Sequence, residues 1–173
     1  NRPLKLCYVG NTFVNVSKYY QGKLKESTAV GAELIGDDSI DADLEIISMV
    51  IDCMKNAGLE EFQVEIGNVL FFKGLLKEAG IDGDEAEMLV RLIEQKNYFG
   101  VEEMVEGMHL NDTLKKLFSL LGSFETQVEE LAEAKSLASD YPNILSAITD
   151  LEKLGSFLRL YGIEKYVSFE LGI

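Results

Sequence analysis

The chain has 173 residues, with 30 Asp and Glu against 16 Lys and Arg and a formal net charge of −14 at pH 7. Hydrophobic residues make up 47%, enough to build a core and too many for wholesale disorder. The length fits one ordinary domain, or one domain with a large insertion, and the charge excludes a broad basic surface for phosphate backbones.

LKLCYV (4–9) alternates, with Leu4, Leu6 and Tyr8 on one side, and predicts a strand. Gly10-Asn11 can bend it, or it can extend to Phe13-Val14. SKYYQGKLK (17–25) reads as a polar loop pivoting at Gly22. STAVGAELI (27–35) predicts a second strand, with Ala29, Gly31, Glu33 and Ile35 on one side and Thr28, Val30, Ala32 and Leu34 on the other. The two strands are expected to form a hairpin. Ser39 or Asp41 can cap a helix through about Ala57, whose apolar face carries Leu44, Ile47, Ile51 and Met54. Gly58 stops it, and EFQVEI (61–66) alternates as a further strand.

From Asn68 onward the pattern turns helical. VLFFKGLLKEA stops at Gly80, and Asp84 with Glu87 resembles a capping box before MLVRLIEQ. A short helix is expected over 101–107. Asn111 can cap LKKLFSLL, with Leu114, Leu117, Phe118 and Leu121 inward, and another helix is expected over about 124–138. Pro142 suits the first position of a helix over 142–160 that buries Ile144, Ile148, Leu151, Leu154 and Leu158. KYVSFEL closes as a strand with Val167, Phe169 and Leu171 on one side. The expected fold is α+β: one mostly antiparallel sheet with flanking helices, and a helical excursion over 68–161. Parallel pairing remains open locally.

Several chemistries lose support. Arginine is confined to Arg2, Arg91 and Arg159. There is no GxGxxG after a strand, no GxxxxGK[ST] and no GxSxG elbow. His109, the single histidine, has no HxH or HExxH partner and reads as structural or surface-lying. DGDEAE (82–87) lacks the spacing of a calcium loop and reads as a turn with a helix cap. Cys7 and Cys53 lack zinc spacing and read as buried thiols of a reducing compartment. No metal or cofactor is expected. No apolar run reaches membrane-spanning length and no signal peptide opens the chain, so a soluble cytoplasmic protein is expected. Strand character almost at once after Asn1, and an end right after an alternating run, lead to the expectation of a longer native chain.

Two positive features remain. Glu33 shares its side of the strand with small residues, an arrangement that can line a pocket and meet an ammonium or imidazolium group; a water-facing acid is the plainer alternative. Asn11 and Tyr19-Tyr20 can border the same pocket. Lys23 and Lys25 can contact one phosphate or carboxylate, or can simply solubilise the loop.

The runs RPLKLCYVGNTF, STAVGAELIG and DADLEIISMVIDCMKNAGLEEFQVEIGNVLFFKGLL are similar to the catalytic core of histidyl-tRNA synthetase, and more so to its non-aminoacylating paralogue family, the regulatory subunit of ATP phosphoribosyltransferase. The closing YVSFELGI also resembles that paralogue, where such a strand precedes a glycine- and tyrosine-rich segment. The resemblance implies the class II aminoacyl-tRNA synthetase-like fold: an antiparallel sheet, flanking helices and a helical insertion, with the chain as a partial domain. In active class II enzymes the hairpin strand ends in Phe-Arg, and the arginine holds the ATP α-phosphate. Here the matching pair is Phe13-Val14, and Val14 has no side-chain donor. The second strand of the histidine enzyme reads approximately Arg-Glu-Phe-x-Gln-x-Gly-x-Glu. Here Lys25 replaces the arginine fork, Ala29 replaces Gln, and Glu26, Gly31 and Glu33 match.

The resemblance therefore implies no intrinsic catalysis, since the clamp on developing phosphate charge is missing. It implies a non-catalytic regulatory subunit that works with the short catalytic subunit of ATP phosphoribosyltransferase in the first step of histidine biosynthesis and in its histidine feedback. Glu33, Ala29 and Gly31 become histidine-pocket candidates, Val14 a degenerate phosphate-clamp position, and a homo-oligomer the expected full-length state. Nucleic acid and membrane are not expected partners. Two alternatives stay open: a truncated or degenerate histidyl-tRNA synthetase, and a stand-alone synthetase-like binding domain.

Overall fold

A computed structural model of the chain describes residues 2–14, 26–122 and 131–172. The chain divides into two compact units, Asn1–Val50 and Ile51–Ile173.

In the first unit, strand β1 (Leu4–Phe13) pairs antiparallel with β2 (Glu26–Ile35), from Leu4 opposite Ile35 to Phe13 opposite Glu26. β1 runs straight through Gly10-Asn11 instead of bending. Asn11 is engaged across the ribbon: its Nδ2 donates to Glu26 Oε1 at 2.7 Å, and Thr28 Oγ1 donates to its Oδ1 at 3.2 Å. Ser39 caps helix α1 (Ile40–Asn56) by accepting from the Ala42 amide at 3.3 Å. Asp37 accepts from the Ser39 amide at 3.0 Å, and the hydrogen bonds from Ser39, side chain first, hold the Asp37 carboxyl below its ordinary value. Lys5 Nζ on β1 reaches both carboxylate oxygens of Glu45 on α1, at 2.6 and 2.8 Å. Cys7 and Cys53 are exposed free thiols, contrary to the buried reading. Cys7 lies on a two-stranded ribbon, where neither face gives full burial. Cys53 sits two positions, or about 200°, around the helix from buried Ile51.

The second unit contains β3 (Val64–Ile66) and β4 (Val167–Phe169), paired in parallel from Val64 opposite Val167 to Ile66 opposite Phe169. The two described sheets are therefore two-stranded ribbons, one antiparallel and one parallel. Parallel neighbours need a long crossover, and the chain between them supplies one. Its described elements are α2 (Val69–Ala79), α3 (Gly83–Glu94), α4 (Tyr98–Glu106), α5 (Asp112–Ser119), a 3₁₀ turn (Leu120–Gly122), α6 (Leu131–Leu137), α7 (Pro142–Leu160) and a 3₁₀ turn before β4. β3 is shorter than its alternation suggests; Phe62 lies ahead of it and stacks on Tyr166, with ring centroids 4.9 Å apart.

Helical spacing decides burial here. Leu114, Leu117, Phe118 and Leu121 are buried, as are Ile144, Ile148, Leu151, Leu154 and Leu158 on α7. Asn111 Oδ1 accepts from the Leu114 amide at 2.8 Å, and Pro142 opens α7. The expected Asp84–Glu87 capping box does not form. α3 begins at Gly83, so Asp84 lies inside the first turn, where its charge favours the helix dipole, and Glu87 pairs with Arg91 at 3.4 Å. No helix among the described residues is long and apolar enough to cross a membrane.

A polar cluster joins the helices to the parallel ribbon. Glu170, just past β4, is only 3% exposed. Its amide donates to Ile66 O at 3.0 Å, its Oε1 accepts from Tyr98 Oη at 2.7 Å, and its Oε2 accepts from Lys96 Nζ at 3.4 Å. Lys96 also lies 3.6 Å from Glu65 on β3. Burial, then the bond to Glu170, pushes the Tyr98 phenol well above its ordinary value. The bond to Glu170 likewise raises the Lys96 ammonium. Gly172 follows at a close approach: a Cβ there would lie 2.6 Å from Leu121 O and 2.9 Å from the Tyr98 ring.

Two outcomes follow in the intact protein. Gly172→Ala must shift backbone, and lowers unfolding stability by about 1–3 kcal/mol in denaturant titration. Both Tyr98 and Lys96 are raised, so folding favours their protonated forms. Their stabilisation is complete below their unfolded values of about 10 and is lost as pH rises through the higher folded values. Thermal melts from about pH 8 to about pH 12 show their contribution unchanged up to about pH 10 and falling above it, and Tyr98→Phe flattens that fall.

Candidate functional site

The hairpin register places the residues singled out on β2. Residues directly opposite each other in an antiparallel pair point to the same side. One side of the ribbon therefore carries Leu6 opposite Glu33, Tyr8 opposite Gly31, Gly10 opposite Ala29 and Thr12 opposite Ser27. Glu33 is exposed, and Ala29 and Gly31 are half-buried. The sequence grouping of Ala29, Gly31 and Glu33 is one physical surface.

Its relief comes from two glycines and one ring. The Tyr8 side chain lies over Gly31, so that a Cβ at position 31 would collide with the hydroxyl-bearing edge of the ring. One pair further on, Gly10 meets Ala29, and nothing lies within 4 Å of a Cβ position at Gly10. Thr12 Oγ1 and Ser27 Oγ, 2.8 Å apart, close the far end. The surface thus runs from a carboxylate past a tyrosine ring to an open notch, and ends at a hydroxyl pair. A carboxylate beside an aromatic ring suits a small cation such as an ammonium or imidazolium. The Ala-for-Gln replacement that the resemblance implies at position 29 falls at the notch, where a long amide would fill the open space.

Other candidates lie elsewhere. Asn11 points to the opposite side with Thr28 and Glu26, so it does not border the Glu33 surface; the two-residue period separates them. Val14 follows β1 directly, is 61% exposed and presents only methyl groups. Tyr19, Tyr20, Lys23 and Lys25 lie outside the described residues. His109 is exposed between α4 and α5. Among the described residues no group of three or more His, Cys, Asp or Glu side chains is placed to hold a metal ion.

Sequence reasoning missed two things. It put Tyr8 on the right side but gave it no role, because its place over Gly31 depends on cross-strand register. It also passed over Lys96, Tyr98 and Glu170, which are brought together from a helical corner and a strand end more than 70 residues apart.

The family model described as Histidyl-tRNA synthetase matches residues 1–173. The chain is 39% identical to the ATP phosphoribosyltransferase regulatory subunit of Acetivibrio thermocellus, over 99% of this chain and 40% of that protein. It is 37% identical to the subunit of the same name from Ruminiclostridium cellulolyticum, with the same two coverages. The chain therefore spans about two fifths of the length of these curated relatives. Among solved structures, it matches an ATP phosphoribosyltransferase regulatory subunit/histidyl-tRNA synthetase from Bacillus halodurans with a TM-score of 0.87 and 34% identity, over 100% of this chain and 44% of that one. The ATP phosphoribosyl transferase complex from Thermotoga maritima gives a TM-score of 0.70 at 23% identity, over 100% of this chain and 58% of that one, a likeness of fold. The fold is α+β and class II aminoacyl-tRNA synthetase-like. With a family model matched from end to end, the chain belongs to the histidyl-tRNA synthetase family, and its similarity within that family runs to regulatory subunits of ATP phosphoribosyltransferase.

Proposed function

We propose that the protein carrying this chain is a non-catalytic regulatory subunit of ATP phosphoribosyltransferase. It assembles with the short catalytic subunit, is required for the first step of histidine biosynthesis, and takes part in histidine feedback. The main support is similarity along 99% of the chain to relatives bearing that name, at 39% and 37% identity. A regulatory subunit has by definition a catalytic partner. The residues agree: Val14 offers no donor where the active synthetase needs an arginine, and Ala29 offers no amide. The net charge of −14 disfavours a nucleic-acid partner and leaves a protein partner as the better fit.

In this reading the chain is a partial class II synthetase-like domain with residues 68–161 as its helical excursion. The full-length protein is a cytoplasmic homo-oligomer. Histidine is its ligand, held against the Glu33 carboxylate beside Tyr8, with Gly31 and Ala29 shaping the floor. Lys23 and Lys25 supply loop contacts to an anion.

Two measurements test this. Full-length protein mixed with the short catalytic subunit, ATP and phosphoribosyl pyrophosphate raises the rate of phosphoribosyl transfer, and added histidine lowers it; no complex and no change in rate would overturn the assignment. In calorimetry, Glu33→Ala weakens histidine binding about tenfold or more, the scale of one charge-assisted hydrogen bond. Equal binding by both proteins would remove Glu33 from the pocket.

A further inference from the structure

Lys96 occupies a backbone conformation that a lysine has no intrinsic reason to adopt. Its φ is +52°, and it is the one non-glycine residue with positive φ among the described residues. It closes α3 in a Schellman-type turn: the Lys96 amide donates to Ile93 O at 2.8 Å, and the Asn97 amide donates to Leu92 O at 2.8 Å. Glycine, and after it asparagine, is the usual residue at that position, and a lysine there is strained. Asn97 then caps α4 by accepting from the Gly100 amide at 3.1 Å. The corner between α3 and α4 is thus pinned on both sides. It points Lys96 Nζ at Glu170 and Glu65, at 3.4 and 3.6 Å, and Tyr98 Oη at Glu170, at 2.7 Å.

A glycine would end the helix with less strain but could not reach the ribbon. Strain held at a side chain that makes a specific long-range contact is a mark of a selected device. We propose that Lys96 is a strained latch that fastens the helical segment between β3 and β4 onto the parallel ribbon. The fixed part of the latch is the buried Glu170–Tyr98 bond. The releasable part is Lys96, whose side chain is 55% exposed and is shared between a buried carboxylate and an exposed one. Such a contact opens without unfolding either the helices or the ribbon, because water can solvate the released ammonium. Opening loosens the exit of β4, where Glu170 and Gly172 pass Tyr98 and Leu121, while the Tyr98–Glu170 bond stays closed. The latch lies wholly within Ile51–Ile173 and needs no partner.

The test is amide hydrogen exchange over residues 167–172 in the intact protein, with Lys96→Gly, Glu170→Gln and the double variant. Glu170→Gln keeps the shape and the Tyr98 bond but removes the buried one of the two charges that hold Lys96, leaving the exposed Glu65. If Lys96 is the latch, Lys96→Gly speeds exchange at β4 about tenfold in the native background, despite relieving backbone strain. In the Glu170→Gln background, where only the exposed Glu65 contact is left to lose, the same change accelerates exchange much less, and Lys96→Arg retains protection. If Lys96→Gly slows exchange, leaves it unchanged, or alters it equally in both backgrounds, the lysine is only a strained helix stop and the latch is wrong.

Discussion

A carboxylate taken almost wholly out of water has to be paired, or it costs several kcal/mol. Glu170 is that carboxylate, and the Ile51–Ile173 unit is arranged around pairing it. One oxygen takes the Tyr98 hydroxyl and the other the Lys96 ammonium, while the backbone amide continues the ladder to Ile66. The two side-chain donors stand on one corner between α3 and α4, so that corner's turn and cap must both be right. Gly172 must lack a side chain because Tyr98 and Leu121 already fill the space. A single buried charge thus ties a helix end, a strand end and a glycine to one geometry.

The Asn1–Val50 unit follows a different logic. Its ribbon has exposed residues on both sides, so packing does not fix its side chains as a core would. Specific cross-strand relations do more of the work: the ring of Tyr8 over Gly31, the Thr12–Ser27 hydroxyls, and the Asn11–Thr28–Glu26 bonds on the other side. Lys5 and Glu45 add a charge pair between ribbon and helix, both partners being largely exposed. A pair so exposed is worth little by itself and sets orientation more than stability.

The family fold and the clamp position can be compared directly in this chain. The backbone matches a solved relative with a TM-score of 0.87, yet Val14 has no donor where the resemblance places a phosphate clamp. Folds persist through burial patterns, whereas catalysis depends on a few polar atoms that a single substitution removes. The β2 surface carries a carboxylate beside a ring and small residues, which in the proposed reading hold a ligand and stabilise no charged transition state. In general, the difference between binding and transition-state stabilisation separates a regulatory role from an enzymatic one.

Local patterns were legible wherever one periodicity ruled. The buried faces of α5 and α7, the cap at Asn111, the opening of α7 at Pro142 and the sidedness of Glu33, Gly31 and Ala29 all follow from spacing that can be read residue by residue. The capping box at Asp84 failed because α3 starts two residues earlier, with Asp82 in the cap position, a shift that no local rule distinguishes. Alternation at the end of the chain put Val167, Phe169 and Leu171 inward and so left Glu170 outward. β4 is instead buried on both sides, and then alternation carries no information about polarity. The left-handed turn at Lys96 was equally invisible, since Asn97 beside it is a better residue for that conformation. Periodicity thus fixes which way a side chain points along its own element. Which distant groups meet, whether Tyr8 over Gly31 or Lys96 and Tyr98 on Glu170, is set by register and by the chain's return after a hundred residues, because pairing a buried charge is a demand that only the folded neighbourhood imposes.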